Sequence, residues 1–138
     1  MVYNNFSDGY KKTLINAENK AREVGFKDLQ AEDIFLELLE NADGGILEIL
    51  TLYWIDKKLT LEIINKGLFN VSPIKRKGVY SGMHQKCKDI ILGSVKIAAQ
   101  NSKARATLED LLMSLLTNDN WLPNYLEYIG INPSDGTS

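Results

Sequence analysis

Two pairs of adjacent carboxylates, Glu32-Asp33 and Glu109-Asp110, stand 77 residues apart, and each lies directly ahead of a leucine-rich run. At the same spacing stand Ser7 and His84. Paired carboxylates can act as the acid and base of glycoside hydrolysis, but only when they face each other across a cleft in unlike environments. Neighbouring acids at the start of one helix offer no such asymmetry. His84 is a candidate general base whose nearest nucleophile is Cys87, and Cys87 falls on an apolar helical face, where a core thiol is the simpler reading. An isolated hydrolase would need one of these carboxylates, or His84, to sit perturbed in a cleft. A single cysteine and a single histidine supply neither a disulfide nor a conventional zinc site.

The carboxylates are positioned by helices. In Ala31-Glu32-Asp33-Ile34-Phe35-Leu36-Glu37-Leu38-Leu39 and in Leu108-Glu109-Asp110-Leu111-Leu112-Met113-Ser114-Leu115-Leu116 the apolar residues recur at i, i+1, i+4 and i+5, one face of a helix. Both acids of each pair then fall in the first turn, where a carboxylate gains about 0.3 to 1 kcal/mol from the helix dipole. The duplication extends outward in one register, pairing Phe6 with Met83, Tyr10 with Cys87, Leu14 with Ile91, Lys11 with Lys88, Ala21 with Ala98 and Asn41 with Asn118. Ser7 is a good N-cap for a first helix that runs to about Val24 and stops at Gly25.

A second helix is predicted over Ala31 to Asn41, with Gly44-Gly45 reversing the chain. A third, from Ile46 to Tyr53, is predicted to turn Leu47, Leu50 and Trp54 inward, and a fourth, from near Leu59, to bury Leu61, Ile64 and Leu68. Residues 70–82 read as the linker between repeats, and its Lys75-Arg76-Lys77 cluster as a solvated loop rather than a binding patch. The second copy predicts helices over Gln85 to Gln100, Leu108 to Thr117 and Leu122 to Ile129, with Thr107 and Asp110 placed as a capping box. Trp121 is expected to pack over its helix pair. Gly130-Ile131-Asn132-Pro133 repeats Trp54-Ile55-Asp56-Lys57 after a slip of one residue, and nothing then answers the fourth helix. The expectation is an all-α domain over residues 1–138, built of two tandem pseudo-symmetric repeats of about four helices (6–69 and 83–133), the second cut short.

Composition narrows the function classes. A 138-residue chain with 44% apolar and 25% charged residues is an ordinary globular protein that can bury a self-standing core. It has no run of apolar residues long enough to span a membrane and no export signal at its start, so a cytoplasmic location without membrane contact is the expectation. A net charge of -2 gives no general attraction to nucleic acid. There is no Gly-Lys dipeptide, hence no nucleotide loop of the Gly-rich kind.

The doubled pattern resembles the repeat of the Clp N-terminal domain, found at the front of Clp-type AAA+ ring ATPases. The resemblance rests on Phe6-Ser7, Ala17, Ala21, Gly25 and the segment Ala31 to Leu39, answered by Met83-His84, Ala98 and the segment Leu108 to Leu116. It departs from the family pattern at Asp33 and Asp110, where the family has histidine, and at Ala31 and Leu108, where it has threonine. The resemblance implies a non-enzymatic domain that captures adaptor proteins and unfolded or tagged substrates for an ATP- and Mg-dependent unfoldase working with a Clp peptidase, and no cofactor in this chain. For the peptidase-linked type it further implies two phosphoarginine sites, which within each repeat would pair Ser7 with Glu32 and His84 with Glu109. A free-standing two-repeat adaptor and the N-domain of a disaggregating Clp chaperone are the alternatives.

Overall fold

The computed structural model describes residues 5–65 and 76–131, so Leu68, Pro73, Lys75 and the end of the second repeat from Asn132 lie outside the described residues. Helix α1 (Asp8–Glu23) begins where Ser7 Oγ accepts the Tyr10 amide at 3.3 Å. It ends in a Schellman motif, with Phe26 N–H on Ala21 O, Gly25 N–H on Arg22 O, and Gly25 at φ +81°. Helices α2 (Ala31–Glu40), α3 (Gly44–Leu52) and α4 (Lys57–Asn65) complete the first repeat. The second supplies α5 (Gln85–Gln100), α6 (Leu108–Thr117) and, after a single 3-10 turn, α7 (Trp121–Tyr128). Among the described residues there is no strand, only three isolated β-bridges.

The helix ends carry the repeat as clearly as the helices do. Ser102, 77 residues after Gly25, ends α5 in the same left-handed conformation, φ +58°, with Lys103 N–H on Ala98 O. Trp54 (φ +60°) and Gly130 (φ +94°) close α3 and α7 alike, with Ile55 N–H on Leu50 O and Ile131 N–H on Leu126 O. That pair is offset by one residue fewer because α3 is one residue longer than α7, which is the slip read in the sequence.

Within each repeat the first helix packs on the second, α1 on α2 and α5 on α6, and α2 and α6 meet at the centre of the molecule. The apolar faces of the two leucine runs are sealed there: Leu38, Leu39, Leu115 and Leu116 are all buried. Each fully buried leucine contributes about 1.5 to 3 kcal/mol of transfer free energy. Tyr10 of α1 and Ser94 of α5 bridge the repeats through a hydrogen bond of 2.6 Å.

Four expectations need correction. Helix α3 starts at Gly44 rather than Ile46, with Asp43 as N-cap, so Gly45 lies inside the helix instead of reversing the chain. The inward register follows: Ile46 and Leu50 are buried while Leu47 is exposed. Trp54 points out, 65% exposed, because it holds the left-handed position of the Schellman turn and Ile55 takes the core place behind it. Helix α4 begins at Lys57, and its fully buried residue is Thr60. No helix among the described residues is long and apolar enough to cross a membrane.

Candidate functional site

The two helix starts flagged by sequence meet partners across the repeats, not within them. Ser7 N–H donates to Ala106 O at 2.9 Å and Ala106 N–H to Asn5 O at 2.7 Å, which seats the head of α1 against the head of α6. In the same way His84 N–H donates to Leu29 O at 2.8 Å and Leu29 N–H to Gly82 O at 3.0 Å, which seats the head of α5 against the head of α2. Phe6 with Ala106 and Met83 with Leu29 are the same contact carried over the 77-residue offset. An internal pseudo-twofold requires this exchange, since whatever repeat one does to repeat two must be done in return. The within-repeat pairing of Ser7 with Glu32 and of His84 with Glu109 is therefore corrected: Ser7 shares a junction with Glu109, and His84 with Glu32.

Each junction gathers free backbone N–H groups from two helix starts beside a carboxylate. At the first, Ser7 caps α1, and Thr107 N–H donates to Asp110 Oδ2 at 2.8 Å at the start of α6. At the second, His84 Nδ1 accepts Lys86 N–H at 3.1 Å, and Gln30 N–H donates to Asp33 Oδ2 at 2.9 Å. His84 thus takes the capping place that Ser7 holds in the other repeat. Asp33 and Asp110, the positions that depart from the Clp pattern, are helix caps here.

The acids at the two junctions are handled differently. Asp110 is buried and bound by Lys103 Nζ at 2.7 Å, while Glu109 has no cation within ion-pair distance among the described residues. Glu109 instead lies on the first turn of α3: a Cβ added at Gly45 would stand 2.6 Å from Glu109 Oε1, so glycine is what lets the carboxylate rest there. At the other junction Arg76, expected in a solvated loop, is 7% exposed. Its guanidinium donates to Asp33 Oδ1 at 3.1 Å and Oδ2 at 2.5 Å, to Asp28 O at 3.4 Å, and lies 3.6 Å from Glu32 Oε1. Its face covers the Phe26 ring at 3.9 Å. Burial weakens protonation of Arg76, but the Asp33 hydrogen bond and the acids around it outweigh that and hold the cation more firmly than usual. Glu32 moves the other way: burial raises its carboxyl above the ordinary value, and Arg76 offsets only part of that.

Sequence reasoning missed Arg76 because its partners, Asp33 and Asp28, are more than 40 residues away and no local period marks a loop arginine as buried. The segment that delivers it runs beside the turn after α1, through Lys27 N–H on Arg76 O at 2.6 Å and Gly78 N–H on Gly25 O at 3.0 Å. Cys87 is a core thiol as expected: it is fully buried, donates to Leu29 O at 3.2 Å, and burial pushes its ionisation up to about 12. A nucleophile needs the opposite shift. Trp121 stacks on Tyr125, ring centroids 5.0 Å apart, which keeps it packed over the helix pair.

Three solved structures share this arrangement of helices. The N-terminal domain of the caseinolytic protease associated chaperone ClpD from Arabidopsis thaliana superimposes with a TM-score of 0.69 at 19% identity, covering 97% of this chain and 90% of that one. The chain has the fold of Clp N-terminal domains. The Hsp104 N-terminal domain from Candida albicans matches with a TM-score of 0.70 at 13% identity, over 94% of this chain and 85% of that one. The N-domain of ClpV from Vibrio cholerae matches with a TM-score of 0.70 at 15% identity, over 95% and 80%. No protein-family profile matches the sequence, and no curated protein does. At these identities the likeness is one of fold.

Proposed function

We propose that this chain is the substrate- and adaptor-recognition domain of a cytoplasmic, ATP-dependent Clp chaperone or protease subunit, and that it binds phosphoarginine-type side chains of tagged proteins. The observation that carries the reading is the reciprocal seating of helix starts, Ser7 against the head of α6 and His84 against the head of α2, each beside an acid. Such a junction is zwitterionic. Free N–H groups at two helix starts favour a phosphate, and the glutamate favours the guanidinium to which that phosphate is directly bonded. The second acid of each pair does not repel the phosphate strongly, since Asp110 is neutralised by Lys103 and Asp33 by Arg76. Recognition of this kind calls for no bond making, and ATP and Mg would be used by ATPase modules of the full subunit rather than by this domain. The peptidase would engage that ring.

The test is calorimetric titration of the chain with phosphoarginine, set up as two double-mutant cycles. Ser7→Ala and Glu109→Gln are expected to be coupled, each alone costing about 1.5 to 3 kcal/mol as a hydrogen bond to a charged group. Ser7→Ala and Glu32→Gln are expected to be additive. Absence of binding at millimolar ligand, or coupling of Ser7 with Glu32 rather than Glu109, would overturn the assignment.

A further inference from the structure

We infer that Arg76 is an internal occupant of the guanidinium position at the His84–Glu32 junction, so that the chain presents one open phosphoarginine site, at Ser7–Glu109, instead of two. The inference rests on the phosphoarginine reading for its ligand and on the geometry around Arg76 for its content. What surrounds Arg76 is a complete guanidinium pocket: a two-pronged carboxylate at Asp33, a carbonyl at Asp28, a second carboxylate at Glu32 and an aromatic face at Phe26. A planar cation with a rigid fork of donors is held by that combination of groups. The chain fills it with its own side chain.

Charge and space both bear on a second arginine arriving there. Glu32 and Asp33 are already shared by one buried cation, so a ligand guanidinium would meet Arg76 rather than a free acid, and binding would require Arg76 to leave. Leaving would strip a largely buried cation of its partners and expose two partly buried acids to one another. The other junction has no such occupant. Lys103 binds Asp110 and also donates to Thr107 Oγ1 at 3.3 Å, and Glu109 is left without a cation among the described residues. Lys103 corresponds by the 77-residue offset to Phe26, the ring on which Arg76 lies, so the two repeats have exchanged a platform for a charge at one position.

Nuclear magnetic resonance of the 138-residue chain separates the outcomes. The sequence holds three arginines, Arg22, Arg76 and Arg105, so the Nε–H region is simple to assign. Arg76 Nε is buried with no hydrogen-bond partner among the described residues. Its proton is expected to exchange with water at least about tenfold more slowly than those of Arg22 and Arg105, and to stay unmoved when phosphoarginine is added. Amides at the heads of α1 and α6 should shift with a stoichiometry of one, Glu109→Gln should weaken binding about tenfold or more, and Glu32→Gln should change it less than about twofold. Arg76→Ala, with its helical circular dichroism checked, should gain a second site at the heads of α2 and α5; Arg76→Gln serves if the alanine variant fails to fold. An Arg76 Nε–H that exchanges as fast as the other two overturns the closure whatever the ligand does. Two equal sites in the wild-type chain overturn it while sparing the phosphoarginine reading. No shift at either junction in any variant refutes the ligand, and the closure of a phosphoarginine site with it.

Discussion

Tyr10→Phe removes one hydroxyl from the place where the first helices of the two repeats touch. Tyr10 and Ser94 are both fully buried, and their oxygens are 2.6 Å apart. Ser94 Oγ donates its proton to Ile91 O at 2.7 Å, so the Tyr10 hydroxyl must be the donor of the shorter bond. In Tyr10→Phe, Ser94 keeps its bond to Ile91 and loses one incoming proton, a cost of about 1 kcal/mol. Ser94→Ala is worse, because a buried phenol is left with nothing to donate to, at about 1 to 3 kcal/mol. Ionisation offers no escape, since burial already drives the Tyr10 phenol well above its ordinary range. The double variant removes donor and acceptor together and should cost little more than Tyr10→Phe alone, which makes the coupling nearly the whole Ser94→Ala cost, about 1 to 3 kcal/mol. Urea unfolding followed by far-ultraviolet circular dichroism measures all four corners of the cycle, with equal slopes as the control for two-state behaviour. Additivity within about 0.5 kcal/mol would refute the reasoning, because it would mean that the two hydroxyls do not depend on each other across the repeat boundary.

Two further outcomes follow from the core and from Glu32. Leu115→Ala, at a fully buried position between the repeats, should cost about 2 to 5 kcal/mol in the same assay, whereas Leu52→Ala, 76% exposed, should stay within about 0.5 kcal/mol of wild type. A small loss at Leu115 would argue against a tight seam between α2 and α6. Glu32 binds its proton more tightly folded than unfolded, mainly because of burial, so its ionisation costs stability as pH rises from about 4.5 through the higher folded value. Glu32→Gln imitates the protonated form and should melt higher than wild type near pH 7 and alike near about pH 3. A lower melting temperature at neutral pH would mean that the ion pair with Arg76 outweighs the burial of the charge.

Periodicity, the 77-residue register and the capping residues were enough to predict an all-α chain of two related halves, with α5 and α6 bounded as the structure bounds them. These are local properties: a leucine face, a Ser or Thr before a helix and a left-handed residue after it act over a few neighbours, so they can be read one stretch at a time. The slip at Gly130 was legible for the same reason. Which helix starts would meet was not. A duplicated sequence is compatible with each half closing on itself or on its twin, and only the packing of α2 against α6 selects the exchange that joins Ser7 to Ala106 and His84 to Leu29. Arg76 shows the same limit: its charge and its loop position are in the sequence, but burial depends on Phe26 and Asp28 from the turn between α1 and α2 and Asp33 from the first turn of α2 converging on it. Whether a charged side chain is solvated or enclosed is decided by groups distant along the chain, and tertiary structure alone brings those groups together.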